Sequence, residues 1–287
     1  MPLYGRQKDT GNIIRLIFLI KFRITYFDFN NVKVLLPGME EKFISIIIPT
    51  YNEENFLPKL LRSIRKQTYR NYEVIVADNK SKDKTREIAE KYHARVVEGG
   101  QVATGRNNGA KKAKGDILIF FDADVVLSNP HFLKKTIMEF KKKKLDIATC
   151  LPKPISDKKI DKVMHDVYNL YSTLIEKFKP FAPGFCIYIK RSIHEKIGGF
   201  DPKIKLAEDH DYVQRAAQYG TFGVLKSKKI FVSVRRLEKD GRMKTALKYL
   251  FCGLHMMTLG SVKSDIFNYK FGYDDDIKQE PLKKIKK

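Results

Sequence analysis

Two carboxylates separated by one residue, Asp122-Ala123-Asp124, close the strand Asp116-Ile117-Leu118-Ile119-Phe120-Phe121, whose last five residues are apolar. Residues two apart on an extended chain point to the same side, so both acids can converge on one cation. Hard oxygen ligands suit Mg2+ or Mn2+. Such triplets are frequent on surfaces as solvated or helix-capping acids. Metal binding is favoured here by position, at the end of that apolar stretch.

A second acidic group, Glu208-Asp209-His210-Asp211, opens a predicted helix after Gly198-Gly199-Phe200-Asp201. Acids suit a helix N-terminus because of its dipole. Three acids in four residues exceed what capping needs, in a chain with 56 Lys+Arg against 33 Asp+Glu. Arg106, in Gly105-Arg106-Asn107-Asn108-Gly109, follows a loop near a predicted helix start, where amides and a guanidinium can meet phosphate. His194, His210 and His255 share no ligand spacing and read as packing or surface residues.

The elements that must position these groups alternate. Phe43-Ile44-Ser45-Ile46-Ile47-Ile48 is a β-branched run of the kind buried on both faces of a parallel sheet, and Pro49 stops it. Helical spacing follows in Phe56, Leu57, Leu60, Leu61 and Ile64. The unit repeats as strand 73–77 with helix 83–92, then strand 94–97 with helix 105–113, then the strand before Asp122. This alternation predicts an α/β fold with a doubly wound, mostly parallel sheet flanked by helices, in which ligands sit beyond the carboxyl ends of the strands. The loops at those ends carry Pro49-Thr50-Tyr51-Asn52-Glu53, Asp78-Asn79-Lys80-Ser81, Gly99-Gly100 and Asp122-Ala123-Asp124. Further on, the spacing predicts a long helix over 157–177, a Pro183-Gly184 turn, a strand over 185–189 and a helix over 208–219.

At these residues the chain resembles the family 2 inverting glycosyltransferases, over about residues 43–235. Ile46-Ile47-Ile48-Pro49-Thr50-Tyr51-Asn52-Glu53-Glu54 matches the family's opening strand and nucleotide loop. The Asp78 loop, Arg106-Asn107-Asn108-Gly109, Asp122-Ala123-Asp124 and Glu208-Asp209 follow in the family's order. The resemblance implies a GT-A fold and a nucleotide-sugar donor such as a UDP- or GDP-sugar. It implies that Pro49, Thr50, Asn52, Glu53 and Asp78 hold base and ribose, and that Arg106 lies against the nucleotide pocket. Asp122 and Asp124 would bind ribose and the Mn2+ or Mg2+ on the donor diphosphate. Glu208 and Asp209 match the acidic pair near the acceptor, and Gly184 lies in what resembles the acceptor loop. For an inverting displacement Asp209 is the expected general base, with Glu208 positioning or supporting. The family often has Asp-Asp-Gly-Ser where this chain has Asp78-Asn79-Lys80-Ser81. The QxxRW motif of processive synthases is missing, and the chain has no Trp, so addition of a single sugar is expected.

Charge and composition fit this reading without carrying it. At 287 residues and +23 the chain is drawn to anionic surfaces, and no helix-turn-helix, zinc-finger or RRM signature points to nucleic acid. Cys150, Cys186 and Cys252 are odd in number, far apart and without CxxC spacing, as in reduced cytoplasmic proteins. The apolar stretch 13–22 is broken by Arg15 and Lys21, and the uncharged run 249–262 falls short of the roughly 20 residues a bilayer requires. The expected organisation is a basic-apolar N-terminal extension over 1–41, a glycosyltransferase domain over 42–235 and a basic amphipathic region over 236–287. Nine Lys/Arg and two acids lie between Lys226 and Lys248. The apolar stripe Met243, Ala246, Leu247, Leu250, Phe251 and Leu254 then suggests peripheral contact with the cytoplasmic face of a membrane and a glycan or polyprenyl-linked acceptor. Two other readings share the acids. A sugar nucleotidyltransferase would show a glycine-rich triphosphate loop after the first strand, where Pro49-Thr50-Tyr51-Asn52-Glu53 stands instead. A non-catalytic nucleotide-sugar binder would be expected to have lost some of the acids.

Overall fold

The computed structural model describes residues 42–258 apart from 179 and 205, so the expected extension over 1–41 and the segment 259–287 lie outside the described residues. Strand β1 (Ile44–Thr50) is buried along its whole length. Its side chains alternate as a strand's must: Ile44, Ile46 and Ile48 enter one core with Leu57, Leu60 and Leu61, while Ile47 enters a second core with Ile75, Leu118 and Phe120. The sheet is therefore covered on both faces, as its β-branched composition requires.

Parallel pairing links β1 to β2 (Tyr72–Asp78) and to β4 (Ile117–Phe121), and β2 to β3 (Arg95–Glu98). The connecting helices are α1 (Leu57–Arg65), α2 (Thr85–Lys91) and α3 (Val102–Lys112). Helix α3 begins three residues before the expected start at Gly105, which moves Arg106 from the helix end into its body. This helix packs close to β1. A Cβ on Gly109 would come within 2.5 Å of Ile47 Cγ2, so glycine there sets the helix–sheet distance.

The second half is less regular. It contains β5 (Val125–Leu127), α4 (Phe132–Lys142), β6 (Ile147–Pro154), α5 (Lys159–Ile175), β7 (Cys186–Lys190), α6 (Arg191–Lys196), α7 (Glu208–Ala217), β8 (Phe222–Val232), α8 (Arg235–Lys239) and α9 (Arg242–Thr258). The eight strands run in the order β3-β2-β1-β4-β7-β6-β8-β5. Strand β7 is antiparallel to β4, with Phe121 opposite Cys186, so the segment before β7 arrives beside the carboxyl end of β4. Strand β8 is antiparallel to β5, with Val125 opposite Val232, so residues just after β8 arrive beside Asp124. These two antiparallel pairings deliver the second half of the chain to the end of the DxD strand.

Helix α5 is turned the unexpected way. Asp161, Asn169 and Ser172 are buried, whereas Val163, Val167, Leu170 and Leu174 are exposed. On α9, Met243, Leu247 and Phe251 are exposed and Thr245 is buried; the side chains of Leu250, Leu254 and Cys252 lie outside the described residues. Cys150 and Cys186 are free thiols in the core. Among the described residues, no helix is long and apolar enough to cross a membrane.

Candidate active site

A cavity of about 470 Å³ opens at the carboxyl end of β4. Its lining combines Glu53, Asp122, Asp124, Glu208 and Asp209 with Arg106 and Arg235, and adds an apolar wall from Met164, Tyr168, Phe181 and Phe185. The acids that lie 86 residues apart in sequence, at 122 and 208, meet because α7 starts at this edge.

Arg106 is the hub. It is 2% exposed and donates from Nη1 to Glu208 Oε1 and from Nη2 to Asp122 Oδ1, each at 2.9 Å. Burial pulls its pKa down, but Asp122, Glu208 and Asp209 outweigh that and raise it. Burial pushes the Glu208 carboxyl up to about 7, and the charge of Asp209 adds to this while Arg106 opposes it. Asp122 is also raised by burial, against the pull of Arg106. The guanidinium sits over the Phe200 ring at 5.2 Å. A Cβ on Gly184 would fall 2.1 Å from Arg106 Nη2, so only glycine lets the expected acceptor loop lie against it. The neighbouring Asn107 fastens the same helix to Phe200 by bonds in both directions, 2.8 and 2.9 Å. Arg106, expected against the nucleotide pocket, lines the cavity and is the counter-ion of two site acids.

A second arginine was not foreseen as a site residue. Arg235, three residues after β8, makes a bidentate pair with Glu53, 2.8 Å at each oxygen, and its Nε lies 2.8 Å from Asp124 Oδ2. Its guanidinium stacks over Phe56 at 4.4 Å. Burial pushes Glu53 up to about 7 even though Arg235 pulls it down. In the sequence Arg235 is one half of an Arg-Arg pair within the basic cluster 226–248, with no local feature that marks it as a site residue.

Asp209 faces the other side. Its Oδ2 accepts the Gly184 backbone N–H at 2.5 Å and its Oδ1 accepts the His210 N–H at 2.8 Å. Beside it stand aromatic rings: Phe181 contacts His210 at 5.4 Å and Tyr168 at 5.8 Å between centroids. Two non-glycine residues in the left-handed region directly precede site acids, Asn52 (φ 53°) before Glu53 and Ala207 (φ 60°) before Glu208. Strain of this kind is retained where the surroundings fix a carboxylate's direction.

Pro49 lines the cavity, but Thr50, Asn52 and Asp78 do not; they form an interlocked shelf next to it. Thr50 and Asp78 are partners in the β1–β2 register, and the Thr50 hydroxyl donates to Asp78 Oδ1 at 3.0 Å. The Ser81 hydroxyl and N–H also donate to Asp78, while Asn52 accepts from Lys82 N–H and donates its own N–H to Ser81. Lys80, where the family often has glycine, adopts φ 55°.

The described residues hold no cluster of three or more His, Cys, Asp or Glu suited to a metal. Asp122 and Asp124 nevertheless fit one in a particular way. Each commits one oxygen to an arginine, and Mg2+-type ions are ordinarily held by one or two carboxylates together with substrate phosphates and water. The pair suits an ion shared with a phosphate-bearing ligand, not one enclosed by protein.

The sequence pattern of "Glycosyl transferase family 2" matches residues 45–198. The chain is 42% identical over 112 residues to a 4,4'-diaponeurosporenoate glycosyltransferase of Staphylococcus haemolyticus, covering 36% of this chain and 30% of that one. It is 31% identical over 202 residues to a poly(ribitol-phosphate) beta-glucosyltransferase of Bacillus spizizenii, covering 66% and 31%. The chain thus spans about a third of the length of these curated relatives. In structure it is similar to S. aureus TarS 1-349 in complex with UDP, with a TM-score of 0.55, 23% identity and coverage of 67% and 60%. It is also similar to the mannosyltransferase PcManGT of Pyrobaculum calidifontis in complex with GDP-Man and Mn2+, with a TM-score of 0.57, 20% identity and coverage of 78% and 66%. The fold is that of the GT-A transferases, and the chain belongs to glycosyl transferase family 2.

Proposed function

We propose that this chain is a metal-dependent, inverting glycosyltransferase that moves one sugar from a UDP- or GDP-sugar to a hydroxyl or phosphate of a glycan or polyprenyl-linked acceptor, in cell-surface glycan or glycolipid synthesis. Residues 42–235 would form the catalytic domain and 236–287 an appended basic region that keeps it peripheral on the cytoplasmic face of a membrane. The observation that carries the reading is the meeting of Asp122, Asp124, Glu208 and Asp209 in one cavity around Arg106. Relatives named as glycosyltransferases support sugar transfer, and fold neighbours in complex with UDP, or with GDP-Man and Mn2+, support the donor half of the proposal.

Thr50, Asn52 and Asp78 would bind base and ribose with Pro49, using a shelf held together by its own hydrogen bonds. Asp122 and Asp124 would hold Mn2+ or Mg2+, which supplies charge neutralisation to the departing nucleotide diphosphate. Arg106 holds Asp122 and Glu208 in place and opposes the rise that burial imposes on both carboxyls, so Glu208 supports and positions. Asp209 takes the proton from the acceptor hydroxyl. A carboxylate offers about four lone-pair sites, and backbone N–H groups from Gly184 and His210 use two. Those bonds fix its orientation and leave capacity for an acceptor. Gly184 and the rings of Tyr168 and Phe181 would form the acceptor wall.

The test is paired. Asp209→Asn should retain nucleotide-sugar binding, read as thermal stabilisation by UDP- or GDP-sugar with Mn2+, and lose about 10²–10⁴-fold in transfer. Asp124→Ala should lose the Mn2+-dependent stabilisation as well. Near-normal transfer by Asp209→Asn with a dead Glu208→Gln would exchange the two roles, and undiminished turnover of Asp124→Ala in EDTA would remove the metal.

A further inference from the structure

We infer that the outward face of α5, not the apolar stripe of α9 alone, is the surface through which this protein docks on an anionic lipid bilayer. The bilayer identifies the partner of the acceptor side, and the inference rests on the proposed function only for what the docking is for.

The helix is inverted relative to a domain's ordinary surface helix. At about 100° per residue, Ile160, Val163, Val167, Leu170 and Leu174 fall within an arc of about 80°. They are exposed, from 51% at Ile160 to 65% at Leu174. The polar residues Asp161, Asn169 and Ser172 occupy the opposite, buried side, where each has a partner, although Asn169 Oδ1 accepts no hydrogen bond. Asp161 binds Arg242, Asn169 donates to Pro152 O and Ser172 donates to Tyr168 O. Phe178, just beyond the helix end, is 89% exposed. A continuous apolar face of this kind marks an interaction surface.

Charge selects the occupant. Each acid in α5 and its C-cap is matched by a cation from another element: Asp161 by Arg242, Asp166 by Lys229 and Glu176 by Lys226. Lys159 and Lys162 at one end and Lys177 at the other flank the apolar arc, are exposed, and make no ion pair among the described residues. An apolar face bracketed by lysines on a chain of net charge +23 suits a bilayer interface with anionic headgroups. The Arg242–Asp161 pair ties the start of α9 to α5, and α9 adds Met243, Leu247 and Phe251 to the exposed apolar surface. Position completes the case. Met164, His165 and Tyr168, on the adjoining side of the same helix, line the cavity that contains Asp209. A helix that rests on lipid with one side and walls the acceptor cavity with another would hold that cavity at headgroup depth, where the reacting group of a lipid-linked acceptor lies.

The chain has no tryptophan, which makes the test direct. Leu170→Trp in the full chain places a single indole in the centre of the face, and Met138→Trp, at a 47% exposed site on α4, serves as control. With vesicles of phosphatidylglycerol and phosphatidylcholine at low salt, Leu170→Trp should show blue-shifted emission and quenching by brominated lipid, and Met138→Trp should show neither. The double variant Val167→Asp/Leu174→Asp should sediment with these vesicles about tenfold less, or worse, because two apolar anchors are lost and two negative charges face an anionic surface. Vesicle binding unchanged by the double variant, with an aqueous indole at position 170, would overturn the inference. A blue shift at 170 without vesicles would overturn it too, assigning the face to a second copy if the chain sediments as a dimer and to another part of the same chain if it is a monomer. Stabilisation by UDP- or GDP-sugar with Mn2+ reports the donor site independently, so loss of lipid docking and failure of the transferase reading give different results.

Discussion

The two halves of the sheet are organised by different forces. On the β1–β4 side, neighbouring loops hold each other by short hydrogen bonds: Thr50 and Ser81 to Asp78, Asn52 to Ser81 and Lys82, and Glu53 N–H to the Thr85 hydroxyl. On the other side, ion pairs bridge long stretches of chain. Arg106 reaches Glu208 across 102 residues, Arg235 reaches Glu53 across 182, and Arg242 reaches Asp161 across 81. The first half can be shaped by its own backbone geometry before any ligand arrives. The second is assembled by arginines, whose charges oppose the rise that burial imposes on Glu53, Asp122 and Glu208.

The largest effect that breaks this contrast is expected at the seam. Arg106→Met leaves Glu208 and Asp122 facing each other without their counter-ion. Removing one partner of a buried pair costs about 3–5 kcal/mol, and because Asp122 is partly exposed the lower end, about 3 kcal/mol, is expected here. Urea unfolding measures it. A change below about 1 kcal/mol would mean that the two acids protonate without loss and that Arg106 is not what organises this side.

A smaller effect lies behind the same seam, where His194 packs on Phe120 and meets the Tyr212 hydroxyl at 2.6 Å. Burial, reinforced by the positive charges of Arg191 and Arg215, lowers its pKa from 6.5 to about 4. The unfolded chain therefore binds the proton first. The stabilisation is complete above about pH 6.5 and is lost as pH falls toward 4, up to about 2–3 kcal/mol. In the difference between wild type and His194→Gln, that pH-dependent component should be the part that disappears; parallel stability curves across pH 4–6.5 would contradict it.

The smallest effect sharpens the comparison on the β1–β4 side. Lys80 holds a left-handed conformation in the loop that builds the Asp78 shelf. Lys80→Gly should stabilise the protein by up to about 1 kcal/mol, the relief of αL strain offset in part by the greater freedom of unfolded glycine. A rise in Tm with unchanged donor stabilisation is expected. A fall would show that the lysine side chain contributes more than its backbone costs.

This contrast also explains what could be read from the chain. The regular units are legible because β1, β2 and β4 are largely apolar runs ending in Pro49, Asp78 and Asp122; the Asp122/Asp124 pair stands out by position and the Glu208-Asp209 pair by three acids in four residues. Strands β6 and β8 were missed because Pro152 and Pro154 interrupt one and Lys226, Ser227, Lys228 and Lys229 the other; their pairing is set by tertiary contacts across a register shift between Cys150 and Pro152. Arg235 carries no local signal beyond its charge, since its meaning depends on β8 running antiparallel to β5. The pairing of Arg106 with Asp122 and Glu208 is not legible in the sequence, because it depends on a helix that starts at Val102 and turns the side chain inward. The inverted face of α5 was hidden for a related reason. Its apolar spacing is that of any core helix, and only the buried Asp161 reveals which side is inside.

That aspartate has one more consequence, for modularity. Asp161 is fully buried within the stretch assigned to the catalytic domain, and both its oxygens are claimed by Arg242, beyond the proposed boundary at 236. A chain shortened to end at 235 would keep the acid and lose the guanidinium whose hydrogen bonds hold its carboxyl below the usual range. Transplanting residues 42–235 into another protein is therefore expected to work better when the start of α9, through Arg242, travels with them.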